Sequence, residues 1–228
     1  MSELRLWRYD APMVNLCLKS KSMKTIKPLL LLVILSLVAY TGNAQQNQLT
    51  PKEREDAIRF LKETEAGVFK SVKNLSETQL TYKPAADRWS VEDCVKHIAA
   101  SEKELWAMAE TSLKNAPNPE KRANIKVTDS ALIKGVEDRS QKRKTFAALE
   151  PANSPYKTLD EALKAFKENR EKLIAFVKTT DADLRDHVLE LPMGTFDSYQ
   201  FILLISGHTN RHTQQIEEVK ADPGFPKN

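Results

Sequence analysis

The chain has 228 residues, with 35 Lys and Arg against 31 Asp and Glu, and a formal net charge of +4. Its first 44 residues carry six of the basic and two of the acidic side chains, which leaves 29 of each sign in the remainder. Nucleic-acid-binding domains depend on clustered positive charge, and no basic patch with interleaved aromatic residues is evident here. We therefore expect no nucleic-acid partner.

The N-terminal segment has the three parts of a secretory signal. Lys24 and Lys27 precede a run at 28–40 that is almost purely Leu, Val and Ile, and small residues then lead to Ala44. The apolar run is too short to cross a bilayer, which needs about 20 residues. We predict a cleavable Sec-type signal peptide at 23–44 and no stable membrane span after its removal.

Cleavage at this point would release a periplasmic or secreted chain that begins at Gln45. Residues 1–22 precede Met23, which is a more natural start for a signal peptide, so we interpret them as an artefact of start-site choice. Cleavage also removes Cys17 and leaves Cys94 as the one cysteine of the mature chain. An internal disulfide is thereby excluded.

The mature sequence has the periodicity of long amphipathic helices. Apolar residues at spacings of three and four predict four main helices near 51–74, 90–114, 158–179 and 198–221, and a short one at 129–138. Strand-like alternation is confined to 188–191. The predicted fold class is all-α, an up-and-down four-helix bundle with one extra short helix. We divide the mature chain into a polar lead-in (45–51), a bundle domain (52–222) and a tail (223–228).

Three of the four histidines have a spacing that suits a metal site. His208 and His212 are one turn apart on the last main helix, and both fall in its apolar stripe. Two imidazoles at this spacing can bind one metal ion, and His97 in the second main helix can complete the set. Such a site leaves coordination positions open for water or a substrate. The alternative that stays open is a hydrogen-bonded structural pair beside a structural His97.

Three further residues bear on this site. Gly207 precedes His208, and because glycine within a helix costs about 0.5–1 kcal/mol relative to alanine, we expect something to approach the backbone there. Cys94 is a candidate fourth ligand, with an ordinary buried thiol as the alternative. Glu65 interrupts the apolar stripe of the first helix. It is a candidate acceptor for a histidine N–H, with a solvated carboxylate as the alternative.

For six other residues the sequence gives weaker indications of a role. Three arginines are candidates for holding an anionic substrate: Arg139, Arg143 and Arg170. Charge-rich helices also carry arginines that bind no ligand. His187 lies in a connector, where we expect it to be solvated. We expect Trp89 and Trp106 to pack in the core or at the end of the bundle.

Two motifs carry a resemblance to a known family: Pro84-x-x-Asp87-x-Trp89-Ser90-Val91-x-x-x-x-x-His97 and His208-x-x-x-His212-x-x-Gln215. Together they resemble the DinB superfamily of bacterial four-helix bundles, over about residues 52–222. The resemblance implies a divalent metal, zinc or nickel, held by His97, His208 and His212. Some relatives are thiol transferases or isomerases, and many have no known activity. Most are cytosolic, so a secretory leader departs from the family pattern.

The sequence leaves three classes of function open. The first is a metal-dependent hydrolase or transferase that acts on an unidentified small molecule. The second is a helical bundle that binds a metal or small ligand without turnover, and the third is a bundle whose histidines are structural. Hydrolysis suits an exported protein better than thiol transfer, because exported compartments are oxidising. A homodimer also stays open.

Overall fold

The structure is a computed structural model that describes residues 48–227. Its elements in chain order are α1 (Pro51–Val72), α2 (Glu77–Thr81), α3 (Val91–Leu113), α4 (Asp129–Glu137), α5 (Leu159–Thr179), β1 (Val188–Leu191), β2 (Gly194–Asp197) and α6 (Ser198–Lys220). Short 3-10 turns lie at Pro119–Asn124, Ala147–Leu149 and Pro151–Asn153. The predicted signal peptide at 23–44 and the start-site artefact at 1–22 lie outside the described residues. Within 48–227, no helix is long and apolar enough to span a membrane.

The predicted all-α four-helix bundle is confirmed, with α1, α3, α5 and α6 as the main helices and α4 as the short extra one. The structure adds two elements to that prediction. Ser76 caps the N-terminus of helix α2 through a reciprocal capping box with Gln79, and the helix is too short to show apolar periodicity. The strand-like alternation at 188–191 corresponds to β1, and β2 pairs with it in an antiparallel hairpin.

Helices α1 and α6 pack side by side and run in the same direction. Near their starts, the Tyr199 hydroxyl donates to the Glu53 carbonyl. Near their ends, the Lys220 ammonium donates to the Ser71 carbonyl. Contacts at both ends of the pair therefore fix a parallel arrangement.

Helices α3 and α5 form the other parallel pair. Lys96 in the first half of α3 donates to the carbonyl of Lys157 just before α5, and Trp106 further along packs on Phe176. The two pairs contact each other through α3 with α6 and α1 with α5. Successive main helices therefore do not all alternate in direction, since α3 and α5 run the same way. For this reason the connector at 114–158 must run back along the bundle, and the helix α4 within it packs against α6.

One buried ion pair joins all four long helices. Arg170 of α5 is 0% exposed, and its guanidinium donates to both carboxylate oxygens of Glu102 in α3 at 2.8 and 2.5 Å. The same guanidinium donates to the Leu61 carbonyl and Thr64 hydroxyl of α1 and to the Thr209 hydroxyl of α6. The suggestion that Arg170 holds a substrate is therefore wrong, because all three nitrogens of its guanidinium donate hydrogen bonds to groups inside the core.

Candidate metal centre

The structure brings His97, His208 and His212 together where α3 packs against α6. Nε2 of His208 lies 3.4 Å from Nε2 of His97 and 3.2 Å from Nε2 of His212. Two imidazoles that bind one ion at about 2.0–2.1 Å, with angles of about 90–110°, hold their nitrogens about 2.8–3.4 Å apart. Both separations between the histidine nitrogens fall in that range. Each of the three side chains offers one nitrogen, and these nitrogens all lie within 4.8 Å of one another. Among residues 48–227, this is the one group of three or more His, Cys, Asp or Glu side chains close enough to hold a metal ion.

The outward nitrogens of two histidines fix which tautomer each ring adopts. Nδ1 of His97 lies 2.8 Å from the Leu149 carbonyl, and Nδ1 of His212 lies 2.9 Å from Oε1 of Gln215. An oxygen of this kind only accepts, so each Nδ1 carries the proton and donates it. Nε2 of His97 and Nε2 of His212 are then acceptors, and each lies within 3.4 Å of Nε2 of His208. The Ser101 hydroxyl lies 3.2 Å from Nε2 of His97 and can donate to it, whereas a shared cation would satisfy all three Nε2 atoms at once.

A second set of contacts fixes the Gln215 side chain that binds the ring of His212. Oε1 of Gln215 also accepts from Nη1 of Arg139 at 3.4 Å, and Arg139 forms a two-pronged ion pair with Glu218 at 2.6 and 2.9 Å. Outer partners of this kind fix the tautomer and orientation of metal-binding histidines. The structure therefore gives Arg139 a positioning contact, where the sequence suggested substrate binding. Gln215 is part of the sequence motif, but its role is evident only from this geometry.

Trp89 contributes to the same site. Its ring centroid lies 4.8 Å from that of His97, and it stacks on His212 at 5.7 Å. The sequence predicted only a packing role for this tryptophan, and the structure places that packing directly on the histidine rings. The predicted packing of Trp106 is confirmed by its contact with Phe176.

A cavity of about 640 Å³ adjoins the histidines. Its lining includes His97, His208 and His212 together with residues of the connector at 114–158. Ligand cavities in proteins typically measure about 300–1,000 Å³. The space is therefore large enough for a small organic molecule that reaches the three nitrogens.

Comparison with known proteins identifies the family. A family model for the DinB superfamily matches residues 60–216. The chain belongs to the DinB superfamily. It is 26% identical over 164 residues to the uncharacterized protein YuaE of Bacillus subtilis (strain 168). The matched region covers 72% of this chain and 96% of that protein.

A solved structure shares the fold of this DinB-superfamily chain. It is YfiT from Bacillus subtilis, described as a probable metal-dependent hydrolase with an unusual four-helix bundle topology. The TM-score is 0.54 at 17% identity, over 78% of this chain and 91% of that one. At this level of identity the likeness concerns the fold alone.

In this DinB-superfamily chain, burial keeps the three histidines neutral. Burial lowers the pKa of His208 to about 3, and electrostatic repulsion from Arg211, and from His97 when it is protonated, adds to the effect. Burial lowers the pKa of His97 as well, against the opposing effect of its bond to the Leu149 carbonyl. It also places the pKa of His212 well below its usual value. Neutral imidazole is the form that binds metal.

The stability of the metal-free protein should fall as the pH drops from 7 to 5. In the unfolded chain histidines take up protons near pH 6.5, whereas His208 and His212 stay neutral in the folded state. Below that pH the unfolded state binds more protons, so acid favours it, by up to about 1.4 kcal/mol per pH unit for each such histidine.

Urea unfolding of chelator-treated protein across this range measures the effect. The His208→Asn variant should show a shallower dependence of stability on pH, because it lacks one of the histidines that stay neutral in the folded state. Most carboxylates titrate below this window, which keeps their contribution small. An unfolding free energy that does not change between pH 7 and 5 would contradict the burial of neutral histidines.

Neither additional candidate joins the histidine cluster. Cys94 lies in an apolar cluster with Val68 and Phe166, and burial raises the pKa of its thiol far above the usual range. A thiol in such surroundings is inert, which fits the alternative of an ordinary buried cysteine.

Glu65 is partly exposed, and its carboxylate accepts no hydrogen bond from a histidine among the described residues. Its burial raises the pKa of its carboxyl, against the opposing charge of Arg170.

Two other expectations are corrected. His187 is buried rather than solvated, and its ring nitrogens contact the carbonyl oxygens of Asp183 and Asn115.

The close approach to the backbone expected at Gly207 is present, but the approaching group is the Val136 side chain of the protein itself. A Cβ at this position would lie 3.3 Å from Cγ1 of Val136 in α4. Gly207 therefore allows α4 to pack on α6 and carries no information about a ligand.

Proposed function

We propose that the chain binds a divalent metal ion through Nε2 of His97, His208 and His212 and uses it to hydrolyse a small molecule. The observation that carries the proposal is the convergence of the three nitrogens at separations of 3.2 and 3.4 Å. The description of the structural neighbour YfiT as a probable metal-dependent hydrolase supports the reaction class. Zinc or nickel is the expected ion, because imidazole nitrogens suit both.

Each residue of the site has a defined task in this proposal. The Leu149 carbonyl and the Gln215 amide hold the rings of His97 and His212 with Nε2 inward. Trp89 packs against both rings. A divalent ion bound by three imidazoles supplies Lewis acidity and an acidified water at its open positions.

Turnover by metal-loaded protein tests the proposal. The purified chain is loaded with zinc or with nickel and assayed on a panel of simple esters, amides and thiol adducts. The proposal expects hydrolysis that chelation abolishes and that added metal restores, with none in the His212→Ala variant. Full metal occupancy without turnover of any substrate would instead indicate a bundle that binds metal or a small ligand without catalysis. Turnover of thiol adducts alone would indicate a transferase.

We also propose that the protein is exported after removal of its leader. The support is the sequence pattern at 23–44, with its basic start, apolar run and small residues before Gln45. N-terminal sequencing of protein from the native host should show Gln45 or its cyclised form. Cytosolic protein that keeps Met1 or Met23 would contradict export.

A further inference from the structure

Positive charge is concentrated around the cavity that adjoins the histidines. Its basic lining residues are Arg88, Arg139, Lys142, Arg143, Lys144 and Arg211. Its acidic lining residues are Asp87, Glu150 and Glu218. Arg139 and Glu218 form an ion pair with each other, so five basic groups face two acidic ones. Because residues 45–228 carry 29 charges of each sign, this excess is local and does not follow from composition.

Three consecutive basic residues of the connector remain available to a ligand. Lys142 and Lys144 are exposed and make no hydrogen bond or ion pair within residues 48–227. Arg143 donates one bond of 3.3 Å to the Gly135 carbonyl, which leaves most of its guanidinium unused. Arg211 differs, since its guanidinium donates to three backbone carbonyls of the same connector. Arg211 holds the connector in place, whereas residues 142–144 offer free donors.

The same opening has an apolar side. Phe146 is 66% exposed and Met193 is 57% exposed, and both line the cavity. They are the two most exposed large hydrophobic residues in the described part of the chain. Leu105 and Leu204 continue the apolar surface inward. A single exposed apolar side chain is ordinary, but two of them at one cavity mouth indicate a binding surface.

We propose that this cavity binds a small organic oxyanion, a carboxylate or phosphate, attached to an apolar body. The anionic group lies against Lys142, Arg143 and Lys144, and the apolar body lies against Phe146 and Met193. The inference deepens the proposed function, since it names the class of molecule that reaches the three histidines. Binding by the connector itself does not require the metal, so the two proposals can fail separately.

Calorimetric titration tests the ligand class with four probes: 4-phenylbutyrate, its neutral amide, phenyl phosphate and acetate. Each is titrated at low salt into chelator-treated protein and into zinc-loaded protein. We expect 4-phenylbutyrate to bind about tenfold or more tightly than the amide, and to weaken as salt is raised. Acetate should bind weakly because it lacks the apolar body. Phenyl phosphate distinguishes the two headgroups, since tighter binding than the carboxylate would assign a phosphate.

Charge-reversal variants locate the anion. Lys142→Glu/Lys144→Glu should weaken 4-phenylbutyrate binding about tenfold, because two nearby positive charges become negative. The matched control is Lys164→Glu/Lys172→Glu, which makes the same net change at exposed residues of α5 outside the cavity. Phe146→Ala should weaken binding several-fold. Its control is Met108→Ala, at a residue that is 46% exposed and does not line the cavity.

Metal content measured in the same samples separates the outcomes. Equal binding of the acid and the amide, no binding of either anion, or an equal loss in the α5 control would overturn the inference. If wild-type protein holds zinc but binds no anion, the inference fails and the proposed metal site stands. If it holds no metal but binds 4-phenylbutyrate through residues 142–146, the proposed function fails and the inference stands.

Discussion

Replacing His208 or His97 with alanine is expected to abolish tight binding of a divalent metal. Each substitution removes one of three nitrogens that lie at ligand-to-ligand distances, and the two that remain cannot hold the ion against dialysis. The measurement is metal content after zinc loading and dialysis against a weak chelator. The expected result is about one ion per wild-type chain and close to none in either variant.

The matched control for these variants is His187→Ala. This histidine is buried between backbone carbonyls away from the cluster, so its loss should leave metal content unchanged. Circular dichroism of all three variants establishes that each one folds. Equal metal content in the three variants would contradict a site formed by His97 and His208.

Replacing Arg170 with methionine is expected to destabilise the fold by about 3–5 kcal/mol. The substitution leaves the Glu102 carboxylate without its partner inside the core, where the two side chains are 0% and 2% exposed. It also removes donors to the Leu61 carbonyl and the Thr209 hydroxyl. Urea unfolding followed by circular dichroism measures the loss.

Two further variants show that this loss arises from the buried charge. Lys167→Met removes an exposed partner of Glu171 on the same helix and should change stability little. Arg170→Met/Glu102→Leu removes both charges, and it should be more stable than Arg170→Met because no unpaired carboxylate remains. An Arg170→Met variant as stable as wild type would contradict the proposed role of the pair.

The main helices could be predicted because their apolar residues recur every three or four positions along α1, α3, α5 and α6. The same pattern does not identify which helices are neighbours. The parallel pairing of α1 with α6 is fixed by contacts such as Tyr199 with Glu53, which are distant in sequence. Apart from the alternation at 188–191, the connectors could not be predicted either, because the 3-10 turns and the strand β2 are too short to show periodicity.

The histidine cluster could be predicted because His208 and His212 lie one turn apart on one helical face and His97 lies in another of the predicted main helices. The group that orients His97 could not, because it is the backbone carbonyl of Leu149 and leaves no signal in the sequence. The buried ion pair does have a signal in the sequence, because Arg170 continues the apolar stripe of α5. That position favours burial over contact with a substrate.

X-ray absorption at the zinc edge of the fully loaded protein tests the central claim most directly. The claim is that His97, His208 and His212 hold the ion and leave at least one position open. The spectrum should show three imidazole nitrogens at about 2.0–2.1 Å together with one or two oxygen ligands. A sulfur ligand at about 2.3 Å would place Cys94 on the metal, and fewer than three imidazoles would contradict the histidine site.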